Sequence, residues 1–382
     1  MKLRILHTQQ LYFPRVGGSE EMVKQLSERL ALRGHAVTVA TAHDRGRRWQ
    51  SMNGVRVEGF HLAGNSATGI RGRPSEIERY QRFVQDGDFD VMLNSCAQIW
   101  STDLVFSLLP RLRCGKVLAP SGYSGLGKPI FRGYFENLPA ILRQYDHIIY
   151  FSANYQDKHF GDAHGIHHFS IIPNAASEDE FLRPPLGFRA RYEIRTKHML
   201  LSVGNHYAFK GHRFVIEAFR RLGRSDTTLV ILGHPVVTRL AGCYPSCRLA
   251  ALHPRIKVLT VPRPWVVSAF QEADLFVFGS RVEASPLVIL EAMAAGIPFV
   301  TTNCGNVLDL KACGRIVESP SEMAREVSAL LENQEARQDL GGTGHRTWRE
   351  NHTWENVVDQ YEQVYRMVAR PRNGAETLKS SG

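Results

Sequence analysis

The chain has 382 residues, 43% hydrophobic and 22% charged, with 32 Gly and 18 Pro. That composition excludes collagen-like, low-complexity and disordered classes, and the length suits about two domains, each with a core of its own. The formal net charge of +10 favours anionic partners, and because the excess is shared between both halves, a phosphate-binding cleft fits it at least as well as a nucleic-acid stripe.

The first forty residues read as one βαβ unit. A short apolar strand, Leu3 to Leu6, runs into a loop with Pro14, Gly17 and Gly18. Met22, Val23, Leu26 and Leu30 then fall at helical spacing over Ser19 to Arg33, Gly34 stands where a C-terminal glycine belongs, and a second strand covers Ala36 to Ala40. Such a unit implies a parallel sheet. Further buried strands are predicted at Val91 to Leu93, Lys116 to Ala119 and His147 to Phe151. Near Ile172, Pro173 and Asn174 the pattern restarts, with a strand Met199 to Val203, a loop through Lys210 and Gly211, a helix His212 to Leu222 and a strand Thr228 to Leu232. Strands are also predicted at Ile256 to Thr260, Leu275 to Phe278 and Pro298 to Thr301, and an amphipathic helix at Trp354 to Val368.

The expected fold is therefore α/β, with two doubly wound domains over 1–172 and 173–352, a C-terminal helix over 353–370 packing back toward the first domain, and a loose polar tail over 371–382. Two such domains facing each other make a ligand cleft at the carboxyl ends of their strands.

The six cysteines are too few for a disulfide scaffold and read as reduced structural thiols. Cys243 and Cys247 share a helical face, but the sequence sets no second Cys or His pair beside them to complete a tetrahedral zinc site, and the sixteen histidines show no metal spacing. His164, His167 and His168 read as surface residues. After Lys2 and Arg4, the residues His7, Thr8, Gln9 and Gln10 interrupt the apolar run of a secretory signal, and no stretch is long enough to span a membrane. A cytoplasmic location is expected, at most peripheral on a membrane.

The most informative stretch is Leu275 to Val300, LFVFGSRVEASPLVILEAMAAGIPFV. A strand ends at Gly279, Ser285 is placed to cap the next helix, and Pro286 suits its first position. The free amides at that helix start, around Pro286 and Leu287, form an anion site suited to a diphosphate. Glu283 lies in the loop and Glu291 inside the helix, flanked by Val288, Ile289, Leu290, Ala292 and Met293. A carboxylate buried there needs hydrogen-bond donors, which ligand hydroxyls supply; a salt bridge within the second domain is the alternative.

The two-glutamate spacing, with Ser280 before it and Glu-Ala-Met-Ala-Ala-Gly-Ile-Pro after it, resembles the signature of retaining glycosyltransferases of family 4, which have the GT-B fold. Pro14-Arg15-Val16-Gly17-Gly18-Ser19-Glu20 is similar to that family's N-terminal Gly-Gly loop, Ile172-Pro173-Asn174-Ala175 to its interdomain element, and Val203-Gly204-Asn205 through Phe209-Lys210-Gly211 to its diphosphate-holding loop. The resemblance runs from about residue 3 to 368. It implies a donor site of Gly17, Gly18, Asn205, Lys210, Glu283, Pro286, Leu287 and Glu291. Within it, Lys210 and the amides neutralise the diphosphate, Glu283 contacts the transferred sugar and serves with Lys210 in catalysis, and Glu291 binds the ribose. The chain departs from the family where Asn205 replaces the diphosphate arginine, with Arg281 or His206 as candidate helpers, where Ser121 to Gly125 lack the usual histidine, and where Ala284 replaces a common glycine.

The resemblance implies a retaining, hexosyltransferase-like enzyme that uses a nucleotide-sugar donor such as a UDP-sugar or GDP-sugar, with no other cofactor and no metal. Its acceptor would be a sugar or lipid-linked hydroxyl in polysaccharide, glycolipid or glycoconjugate biosynthesis. An epimerase of the same fold and a degenerate nucleotide-binding subunit are the alternatives. Nucleic acid is not an expected partner, because no aromatics interleave with the basic residues. Gly122 to Lys128 imitates the start of a phosphate-binding loop, but Pro129 supplies neither the hydroxyl nor the N–H that loop needs; a loop on the acceptor side fits better. Arg45, Arg47, Arg48 and Trp49, with Arg71 and Arg73, are candidates for an anionic acceptor or a membrane surface, against the plain reading of solvated loops.

Overall fold

The computed structural model describes residues 1–15, 17–235 and 242–370; the expected tail beyond 370 lies outside them. The chain divides into two compact units, one of Met1–Ile172 with the chain from Val358 onward, the other of Pro173–Val357. In the first, the strands are β1 (Arg4–Thr8), β2 (Ala36–Ala42), β3 (Ser51–Met52), β4 (Val55–Phe60), a separate β5 (Ala63–Asn65) and β6 (Gly69–Arg71) hairpin, β7 (Val91–Ser95), β8 (Gly115–Ala119), β9 (His147–Tyr150) and β10 (Phe169–Ile171). Eight of them form one sheet in the order β10-β9-β8-β7-β1-β2-β4-β3, parallel except for the edge strand β3. In the second unit, β11 (His198–Val203), β12 (Thr227–Leu232), β13 (Ile256–Leu259), β14 (Leu275–Phe278), β15 (Phe299–Thr302) and β16 (Gly314–Val317) pair in the order β13-β12-β11-β14-β15-β16.

Every strand pair of the second sheet is parallel, so both faces must be covered, and β12 and β14 are buried throughout. Side chains alternate accordingly. Met199, Leu201, Phe276 and Phe278 enter one core with Ile289, Leu290 and Trp348, whereas Leu200, Leu275 and Val277 enter the other with Val215, Phe219 and Val327. Deleting one such buried side chain to Ala costs roughly 2–5 kcal/mol.

In the first unit the helix Gly18–Leu32 buries Met22, Val23, Leu26 and Leu30 at the predicted spacing. The terminal helix Trp354–Val368 gives this unit Tyr365, whose Oη lies 2.9 Å from His7 Nε2, while Ser27 Oγ lies 2.7 Å from His7 Nδ1. Burial holds the His7 pKa down at about 3, so the ring is neutral. On the same helix Glu362 accepts from Arg33 at 2.9 Å, and no helix among the described residues is long and apolar enough to cross a membrane.

Candidate active site

An order of 3-2-1-4-5-6, counted within the second unit, reverses direction between β11 and β14, and ligands of open α/β sheets bind beyond the carboxyl ends at such a point. Both key loops leave from there. The loop after β11 carries Lys210 and the loop after β14 carries Glu283; their side chains meet, Lys210 Nζ donating to Glu283 Oε1 at 2.7 Å. Ser280 Oγ donates to the same oxygen at 2.7 Å. The pair is sheltered, with side-chain exposures of 24% for Lys210 and 11% for Glu283, so its attraction is less screened than that of a surface pair.

The loops are also tied through backbone atoms. Arg281 N donates to Phe209 O at 2.9 Å, Ser280 Oγ lies 3.2 Å from the same carbonyl, and Thr302 Oγ1 donates to Ser280 O at 2.5 Å. Gly211 has φ +70°, and a Cβ there would sit 1.7 Å from Gly279 O; only glycine permits both the left-handed turn and the close approach. Beside Glu283 lies the buried Cys304, whose thiol is pushed up to about 12 by burial and by the Glu283 charge.

The helix after Glu283 is Leu287–Ala294, with Pro286 as N-cap. The expectation that Ser285 caps it and that Pro286 is its first turn is corrected: no side chain caps this helix. Ser285 is instead turned to the interdomain element, its Oγ accepting from Asn174 N at 3.4 Å and its carbonyl from Asn174 Nδ2 at 2.9 Å. The amide end thus has no competing side-chain cap, as an anion site requires.

Glu291 is buried, with 6% exposure, and meets a residue that the sequence did not single out. Arg263 Nη1 lies 2.6 Å from Glu291 Oε1, and Arg263 Nη2 lies 2.6 Å from Glu180 Oε2. The salt-bridge alternative is therefore realised, and ligand hydroxyls are not needed to satisfy this carboxylate. Burial opposes the Arg263 charge, but Glu291 and Glu180 outweigh it and raise its pKa. Arg263 opens the helix Arg263–Glu272, an end where a cation is disfavoured unless acids hold it. A cation at a helix start just beyond β13 was the available signal.

Other expected residues fall as follows. Asn205 is half-buried and its Oδ1 accepts from His234 N at 3.2 Å. His206 does not serve as a surface cation: it is fully buried, while Arg281 is exposed. The reading that no Cys or His pair stands near Cys243 and Cys247 is also corrected, because His206 and His212 lie beside them. In the first unit Gly17 is the N-cap of the helix Gly18–Leu32, again with no side-chain cap, and a Cβ on it would come within 2.3 Å of Glu20 Oε2. Burial raises the Glu20 pKa.

The carboxyl ends of β7 and β8 hold a group that sequence did not reveal. Cys96, Gln98 and Ser121 all have positive φ, at 67°, 62° and 59°, a conformation that is strained outside glycine and concentrates at functional sites. Asp103 accepts from Ser66 Oγ at 2.8 Å and from Tyr134 Oη at 3.2 Å, and burial raises its pKa. The loop Gly122 to Lys128 does not open directly onto an α-helix as a phosphate loop does: the 3-10 turn Pro129–Phe131 separates it from the helix Arg132–Leu142, and Gly122 N donates to Asp157 at 2.9 Å. Among the basic candidates, Arg45, Arg48, Arg71 and Arg73 are exposed. Arg47 is structural, donating to the carbonyls of Phe13 at 3.0 Å and Ala42 at 3.2 Å.

Two doubly wound units, the second with a paired cation and carboxylate before an uncapped helix start, define the architecture of GT-B proteins. Solved structures agree on the fold: sucrose-phosphate synthase from Thermosynechococcus elongatus superposes with a TM-score of 0.79 at 18% identity, over 96% of this chain and 99% of that one. HepE from Anabaena, solved with UDP-glucose, gives 0.76 at 14% identity over 96% and 100%. Residues 197–333 match the family Glycosyl transferases group 1, and residues 17–159 the Glycosyl transferase 4-like domain. The chain belongs to the group 1 glycosyltransferases of family 4. Spore coat protein SA of Bacillus subtilis is 33% identical over 206 residues, 47% of this chain and 53% of that protein. N-acetyl-alpha-D-glucosaminyl L-malate synthase of Bacillus anthracis is 26% identical over 203 residues, 51% and 52% of the two. The chain thus spans about half the length of the curated relatives it matches.

Proposed function

We propose that this protein transfers a hexosyl group from a nucleoside diphosphate sugar to an acceptor hydroxyl, with retention of anomeric configuration, in glycoconjugate or polysaccharide biosynthesis. The observation that carries the reading is the Lys210–Glu283 pair at the switch point, 2.7 Å apart, next to the uncapped start of Leu287–Ala294. Family membership and the HepE structures, solved with UDP, with UDP and glucose, and with UDP-glucose, support a UDP-sugar as the first donor to try.

In this reaction the bond from the anomeric carbon to the diphosphate oxygen breaks, and its electron pair leaves with that oxygen. The acceptor oxygen forms the new bond, and its proton passes to the leaving phosphate. Negative charge therefore grows on the diphosphate, where Lys210 and the amides from Leu287 onward would bind it, and fixed donors of this kind supply a large share of catalysis. Glu283, held by Lys210 and Ser280, would orient the sugar hydroxyls. Glu291 and Arg263 would form the wall for the nucleoside, Glu291 accepting from the ribose hydroxyls. Lys210 and the amides supply the charge compensation the leaving group needs without invoking a metal. The resemblance assigns the acceptor to the first unit, where exposed Arg45, Arg48, Arg71 and Arg73 suit an anionic acceptor or a peripheral contact with an acidic membrane surface.

The test is a thermal-shift screen against UDP, GDP, ADP, CMP, dTDP and their sugar conjugates, then donor turnover with candidate acceptors and assignment of product anomers. Stabilisation by one nucleoside diphosphate and transfer with retained configuration are expected. Inversion overturns the stereochemical part; conversion of donor without acceptor favours an epimerase; binding without turnover favours a regulatory subunit.

A further inference from the structure

His206, His212, Cys243 and Cys247 are all buried, and one ligand atom from each lies within 4.8 Å of all the others. The approaches are closer than that limit. His206 Nδ1 is 3.2 Å from His212 Nδ1; Cys243 Sγ is 3.8 Å from His206 Nδ1 and 3.6 Å from His212 Nδ1; Cys247 Sγ is 3.8 Å from His212 Nδ1. Zinc bonds of about 2.0–2.1 Å to nitrogen and about 2.3 Å to sulfur place the corners of a tetrahedron roughly 3.3 to 3.8 Å apart. The four distances above, 3.2 to 3.8 Å, lie close to that range.

Ordinary hydrogen bonding does not account for the arrangement. Both Nε2 atoms are buried without a hydrogen-bond partner, and the polar side-chain contacts of the Nδ1 atoms are to each other and to the sulfurs of Cys243 and Cys247. No carboxylate stands with them in this cluster. Cys243 Sγ has one further neighbour, the Tyr207 carbonyl at 3.6 Å. The backbone is built around the group: Cys243 N donates to His206 O at 3.0 Å, and Gly242, at φ +65°, comes so close that a Cβ would lie 1.9 Å from that same carbonyl.

We propose that these four residues form a structural Cys2His2 zinc site. Two thiolates and two imidazoles with no open position suit a closed tetrahedral ion, and zinc is the common metal for that donor set. Its place in the chain gives it a purpose. His206 and His212 bracket the turn that carries Lys210, Cys243 caps the helix Tyr244–Ala250, and Cys247 lies within it. The ion would therefore clamp both ends of the Lys210 loop to the helix Tyr244–Ala250.

The full-length protein, purified under reducing conditions without chelator, is expected to contain about one zinc ion per chain. Cobalt(II) added to the metal-stripped protein is expected to give thiolate charge-transfer absorption and the visible bands of tetrahedral cobalt. Cys243→Ser/Cys247→Ser and His212→Ala each lose most of the metal, whereas Cys313→Ala, which removes a buried cysteine outside the cluster, retains it. Because a cluster variant can fail to fold for other reasons, the parent itself is stripped with chelator and its melting temperature measured; it falls by several degrees and recovers with zinc alone. A parent with less than about a tenth of an equivalent of metal and no cobalt spectrum overturns the proposal. The site makes sense of the donor loop but does not depend on it: a chain that holds zinc yet binds no nucleotide overturns the functional reading and leaves the metal site standing.

Discussion

Both units reverse their strand order once, yet they furnish that point with opposite materials. In the second unit the reversal between β11 and β14 carries full charges, Lys210 against Glu283 and, beyond β13, Arg263 against Glu291 and Glu180. In the first, the ends of β7 and β8, beside and one strand beyond the reversal at β1 and β7, carry left-handed Cys96, Gln98 and Ser121. The buried carboxylate beside them, Asp103, is held by the hydroxyls of Ser66 and Tyr134 rather than by a cation, and a neutral chain of His7, Ser27 and Tyr365 lies in the same unit. The difference is one of pairing: the second unit sets cation against carboxylate, whereas the first holds its buried carboxylate with uncharged hydroxyl donors.

The largest expected effect tests the charged side. Lys210→Ala should lower transfer about 10²- to 10³-fold, as loss of a fixed transition-state donor does, and should weaken nucleotide binding in a titration; Glu283→Ala should lower transfer with little change in nucleotide affinity. Equal affinities and rates in both variants and the parent would break the comparison.

The neutral side predicts a pH effect. The His7 pKa falls from 6.5 to about 3 on folding, so between those values the unfolded chain binds a proton that the folded chain does not. Stability is therefore expected to drop as pH falls from about 6.5 toward 3, by at most roughly 4–5 kcal/mol. Urea midpoints across that range should show the slope, and His7→Gln, with no titrating ring, should lack its share of it.

Gly211→Ala should destabilise the second unit by about 2 kcal/mol or more through left-handed strain and the clash with Gly279, read as a lower melting temperature with weaker nucleotide binding. Glu291→Gln should weaken the nucleotide about tenfold, equivalent to roughly 1.4 kcal/mol, measured by calorimetry. The smallest change is expected from Ser121→Gly, which relieves the turn: nucleotide affinity should stay constant while the acceptor KM shifts by about threefold, of the order a relieved turn allows.

Much of this architecture is legible along the chain. Strands such as Leu275–Phe278 are readable as short continuous apolar runs because a parallel sheet is covered on both faces, and the helix Trp354–Val368 by its periodicity. Lys210, Glu283 and Glu291 are legible as motif residues. Their partners are not: nothing local ties Arg263 to Glu291, Ser285 to Asn174, or His206 to Cys243.

The sequence by itself determined the α/β class, the two-unit layout and the residue types in the loops after β11 and β14, since hydrophobic period, glycine and proline act over a few neighbours. Only the tertiary structure decided which charges meet and which ligands converge. Strand order brings β11 beside β14 although β12 and β13 intervene along the chain, and an ion pair or a metal cluster depends on distance in space, which chain separation does not encode.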